Sequence, residues 1–153
     1  DGNQDATLTL SVKDDASDNN FDSLADQTVT ATVSDINGVG FSVSKSAVSV
    51  SESGSTETFT VVLDSQPASN VVIGVVSGDA GEATVSPSGV SALTFTSGNW
   101  ATAQTVTVTG VADGLDDGNQ DATLTLSVKD DASDDNFDSL ADQTVTATVT
   151  DID

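Results

Sequence analysis

Apolar and polar residues alternate with period two along most of this chain. TFTVVL (58–63) sets Phe59, Val61 and Leu63 on one face, and TVTVT (105–109) does so with Val106 and Val108. TLTLSV (123–128) uses Leu124, Leu126 and Val128, and TVTATV (144–149) uses Val145, Ala147 and Val149. Such spacing puts successive side chains on opposite faces of a strand, and the intervening threonines suit the outward side of a pleated sheet. Further strands are predicted over 40–44, 47–51, 70–76, 83–86 and 90–95. Turn-forming segments separate them: DSQPASN, SGDAGE, SPSG, TSGN and ADGLDDGN. No helical periodicity outlasts a turn or two. Roughly eight short strands with regular punctuation predict an all-β chain folded as an antiparallel β-sandwich. The longest connection, DDASDDNFDSLADQ (130–143), holds Phe137 and Leu140 at a spacing that lets one helical turn plug the end of the sandwich. The alternative for its acids is a metal site.

The same pattern returns within the chain. Residues 1–37 and 117–153 differ only at Asn19/Asp135, Ser34/Thr150 and Asn37/Asp153, an offset of 116. Near-identity of this kind marks a tandem repeat. One period is an ordinary domain size, whereas 37 residues fall below the roughly 40 that fold unaided. The sequence therefore reads as one complete module, 38–153, with its junction at 35–39. Residues 1–37 read as the last two strands of a preceding copy. Those strands, 6–13 and 28–34, would leave Leu8, Leu10, Val12, Val29, Ala31 and Val33 wet without a partner. Three arrangements are open for them. They stand as a half-module, replace 117–153 in their own chain, or complete a neighbouring molecule in head-to-tail strand donation.

Charge changes the picture. Twenty-five acids face three lysines, Lys13, Lys45 and Lys129, for a net charge of -22. That sign excludes nucleic acid as a partner. It also disfavours anionic membrane surfaces, and no segment approaches the roughly 20 apolar residues of a membrane helix. Residues 1–37 hold eight of the acids, 38–112 five, and 113–153 twelve. Uniform solubilising charge would not bunch in this way, because carboxylates about 4 Å apart repel by about 4 kcal/mol near a protein surface. Either the bunches face open water or cations neutralise them.

Enzymatic signals are weak, and the expected answer is no enzyme. Without His or Cys, serine triads, cysteine nucleophiles and zinc-water hydrolysis lack their usual base or ligands. A carboxylate pair for glycoside cleavage lacks the aromatic cleft it needs, and the single tryptophan, Trp100, is expected in the core or as a cap. Oxygen-ligand metal binding is the stronger signal. DGLDDGNQD (113–121) offers Asp113, Asp116, Asp117 and Asp121, with Gly114 and Gly118 for tight turns, and calcium accepts carboxylates in such flexible loops. It is not an EF-hand, whose spacing and final glutamate are missing. A solvated acidic hairpin is the competing reading.

GVGFSVSKSAVSVSESGSTETFTVVL, then LTFTSGNWATAQTVTVTGVADGLDDGNQDATLTL, closing on TVTATVTDID, resembles the Calx-beta domain. In particular it is similar to the Calx-beta-like repeats of giant bacterial surface adhesins, across nearly all of 38–153. The resemblance implies an immunoglobulin-like sandwich of seven to eight strands with Ca2+ clustered at one end. On it, Glu52 is the glutamate after the first strand, and Asp79 lies in a loop that often contributes a ligand. Asp113 ends the TVTV strand, Asp116 and Asp117 fall in the acidic corner, and Asp151 and Asp153 are the terminal acidic pair. The family's second glutamate is replaced here by Asn119, Gln120 and Asp121. Asp35 and Asn37 would hold metal at the junction between modules, the alternative there being a flexible acidic hinge.

The expected function is therefore a calcium-dependent structural extender or fibre module of a secreted, repetitive bacterial surface protein. Its partners would be neighbouring identical repeats or subunits. The alternative is a calcium-dependent adhesin module that binds glycan or protein through its end loops.

Overall fold

Nine strands form between Phe41 and Thr150 of the computed structural model, which describes residues 4–13, 16, 18–33 and 38–153. They are β3 (Phe41–Val43), β4 (Ala47–Ser51), β5 (Thr56–Leu63), β6 (Val71–Ser77), β7 (Ala83–Ser86), β8 (Gly89–Phe95), β9 (Gln104–Gly110), β10 (Gln120–Val128) and β11 (Gln143–Thr150). Two sheets result, one ordered β4-β11-β10-β6-β8 and the other β3-β5-β9-β7. All pairings are antiparallel except β4 with β11.

The parallel pair has a local cause. Polar Ser44-Lys45-Ser46 carries the chain from one sheet to the other, so the first edge divides. β3 pairs with β5, and β4 pairs with β11. The crossing is pinned on both sides, with Ser44 N–H donating to the Thr60 carbonyl and Thr146 N–H to that of Ser46.

The core lies between the sheets. Phe59, Val61, Val106 and Val108 of one sheet meet Ile73, Val75, Leu124, Leu126, Val145 and Ala147 of the other, all fully buried. At roughly 1.5–3 kcal/mol for each large apolar side chain removed from water, this contact is the main source of stability. β6 departs from simple alternation: Val71 to Val75 are all buried.

The connection after β10 closes the far end. A 3-10 turn at Asp130–Ala132 leads to Phe137, which is buried, and Leu140, which packs beside the core. These two sit on successive turns rather than a helix, with Leu140 N–H donating to the Phe137 carbonyl. Asp134 anchors the loop, accepting from the N–H groups of Ala68, Ser69 and Asn136. Trp100 also packs against the core, and its carbonyl accepts from Leu63 N–H.

The chain divides into two units, one ending at Asn37 and one running from Gly38 to Asp153. In the first, β1 (Gln4–Leu10) and β2 (Gln27–Val33) form a two-stranded antiparallel sheet.

Candidate metal centre

Five chain segments converge where β4 and β9 end, β11 ends, and β7 and β10 begin. Ala83 of β7 stands opposite Gly110 of β9, and Gln120 of β10 opposite Val149 of β11. Glu52 N–H donates to the Thr150 carbonyl, which brings the residue after β4 to the end of β11. Gly110 makes the approach possible. A Cβ there would collide with the backbone of Ser51, so only glycine lets β4 and the acids after β9 come so close.

Six carboxylates gather at this end in two groups. Glu52, Asp151 and Asp153 have ligand oxygens within 4.8 Å of one another, and so do Glu82, Asp113 and Asp117. Like-charged carboxylates this close repel one another. The groups also act on each other. Burial first, then Asp151, Asp113 and Asp153, push the Glu52 carboxyl above its ordinary value, against one Ile152 backbone bond that lowers it. Burial, then Asp117, Asp113, Asp79 and Glu52, do the same to Glu82.

Glu52 is the informative residue. It is 3% exposed, and its Oε2 is buried with no hydrogen-bond partner; Glu82 Oε2 is likewise buried and unpartnered. A carboxylate oxygen sealed from water without a donor is tolerated only if a proton or a cation joins it. The donor set is all oxygen, from carboxylates on several loops, which suits a hard divalent ion of flexible geometry such as calcium.

Asp151 is held differently. Its Oδ1 accepts from Asp153 N–H and its Oδ2 from Gly118 N–H, at 3.0 and 2.7 Å, and these bonds draw its carboxyl below the ordinary range. The turn at Gly118, with φ of 76°, aims that N–H, and Asn119 Oδ1 accepts from Asp151 N–H in return. Asp151 is thereby fixed as an anion beside Glu52.

Of the residues expected from the sequence, Glu52, Asp113, Asp117, Asp151 and Asp153 are brought together. Asp79 lies outside both groups; its Oδ1 caps its own turn through Gly81 N–H. Asp116 is exposed and outside them too. Asp121 points from the outer face of β10, where its Oδ1 accepts from Thr148 Oγ1. Asp35 and Asn37 lie outside the described residues. Glu82 was not anticipated. Its place follows from the β7–β9 register, and its carbonyl accepts from Val111 N–H, two residues before Asp113. Among the described residues no third cluster of this kind forms, including in the 130–143 loop.

No protein-family model matches the sequence, and no curated protein matches it. Solved structures match its fold. Domains 1–6 of the surface layer protein SbsC align over 84% of this chain and 15% of theirs, at 23% identity and a TM-score of 0.53. Domains 4 and 5 of the same protein align over 82% of this chain and 52% of theirs, at 24% identity and a TM-score of 0.51. The E. coli chaperone DraB aligns over 74% of this chain and 56% of its own, at 9% identity and a TM-score of 0.51. The shared feature is an immunoglobulin-like β-sandwich. This chain spans about half, or far less, of these three structures.

Proposed function

We propose that residues 38–153 are a calcium-clasped structural module of a repetitive, secreted bacterial surface or fibre protein, with no catalytic role. The observation that carries this reading is the buried, unpartnered Oε2 of Glu52 beside Asp151 and Asp153, with Glu82, Asp113 and Asp117 adjoining. Three of these ligands precede Gly114 and three follow it. An ion here would tie the body of the sandwich to its last two strands and remove the mutual repulsion of the carboxylates. The resemblance to Calx-beta repeats, the tandem repetition and the fold shared with a surface layer protein support a load-bearing, extracellular setting. Extracellular calcium modules bind in roughly the 10⁻⁴–10⁻³ M range, which fits a site with several exposed ligands.

The test is thermal unfolding in millimolar calcium and in chelator. Calcium is expected to raise the melting temperature by several degrees. Superimposable curves would overturn the proposal.

A further inference from the structure

The apolar face of the β1–β2 hairpin has a known mate, because the same hairpin is already seated once in this molecule. Its register, Gln4 opposite Val33 through Leu10 opposite Gln27, is that of Gln120 opposite Val149 through Leu126 opposite Gln143. In β10–β11 the inward residues Leu124, Leu126, Val145 and Val149 are 0% exposed against the β3–β9 body. Their counterparts Leu8, Leu10, Val29 and Val33 are 52%, 59%, 55% and 65% exposed. Phe21 and Leu24 are more than half exposed as well, where Phe137 plugs and Leu140 flanks the core. An isolated two-stranded hairpin is marginal in water, and this one bears a surface shaped for one site.

We propose that the β1–β2 hairpin is a donor, able to take the β10–β11 position in the body of a second copy of this chain. In that position β1 would pair with β6 and β2 with β4, as β10 and β11 do. Seating in its own body is disfavoured by reach. Val33 would stand at the place of Val149, and the chain must then return along the sandwich to Phe41, beside Gln143. The two points lie about 20 Å apart along the strand and about 10 Å apart between sheets, about 22 Å in a straight line. The eight intervening steps extend at most about 26–29 Å, which leaves little chain to reverse direction and pass round the sandwich edge. A second copy carries no such constraint.

The test disables each seat in turn. Leu124→Glu puts a charge on the inward face of β10 and leaves the β1–β2 hairpin as the chain's one competent filler. This variant is expected to retain a cooperative melt and to run in light scattering as a dimer or larger. Leu8→Glu alone should melt like the unaltered chain, and the double variant L8E/L124E should not fold. Refolding the double variant with the unaltered chain should yield a one-to-one complex, whereas refolding it with L8E should yield none. A folded monomer of L124E would mean in-chain seating and overturn the proposal. So would failure of both L124E folding and the mixed complex, or rescue by L8E equal to that by the unaltered chain.

Discussion

A buried carboxylate oxygen without a donor makes Glu52 a balance point between proton and cation. Its carboxyl and that of Glu82 are pushed above the ordinary glutamate value of 4.5. A group whose affinity for protons is higher folded than unfolded stabilises the fold below the unfolded value and loses that contribution as pH rises through the folded one. Asp151 and Asp134 are shifted the opposite way, so their contribution is lost only as pH falls below the ordinary aspartate value of 3.8. In chelator, acidification from about pH 7 to about pH 5 should therefore raise the melting temperature, since the glutamates respond first. In calcium the same change should weaken binding, because protons compete for the ligand oxygens. Glu52→Gln removes one charge from the group. It should melt higher than the unaltered chain in chelator at neutral pH, gain less on acidification, and lose most of the calcium response. A Glu52→Gln protein whose melt rises with calcium as much as before would show that this residue is not a ligand.

At the scale of elements, the repeated hairpin supplies an internal control. Phe137 and Phe21 occupy the same place in loops that differ only at Asn19/Asp135, yet one is 1% exposed and the other 54%. Phe137→Ala should cost about 3–5 kcal/mol in denaturant unfolding, and Phe21→Ala less than about 0.5 kcal/mol. Equal losses would mean that both loops are packed alike. This contrast also marks what a sequence can reveal. β5, β9, β10 and β11 are legible because their alternation states which face is buried. The two segments 40–44 and 47–51 are legible as well, but their assignment to different sheets is not, since β4 pairs with β11, far away in the chain. The same holds at the metal centre. Asp113, Asp117, Asp151 and Asp153 stand out in the acid-rich last part of the chain, whereas Glu82 lies in the acid-poor stretch 38–112 and its approach to Asp113 depends on the register of Ala83 with Gly110. Asp121 lies outside both carboxylate groups. β10 begins at Gln120, three residues before the expected 123, and alternation from buried Ala122 and Leu124 turns Asp121 outward.

For the whole molecule, the decisive feature is how the ligands divide along the chain. Glu52, Glu82 and Asp113 belong to the body, whereas Asp117, Asp151 and Asp153 flank the β10–β11 hairpin. An ion in either group would act as a latch on that hairpin, and its removal would leave like charges pressing the two parts away from each other. Local opening free energies differ across a fold, and loss of a latch lowers the one it guards. Amide hydrogen exchange in β10 and β11 should accelerate in chelator more than exchange in β5 and β9. Each 1.4 kcal/mol of lost latch energy would appear as about a tenfold faster rate in the hairpin. The same opening vacates the seat that a second copy's β1–β2 hairpin fits, so calcium would set how readily copies interlock. Uniform acceleration across both sheets would instead make calcium a general stabiliser and separate it from hairpin exchange.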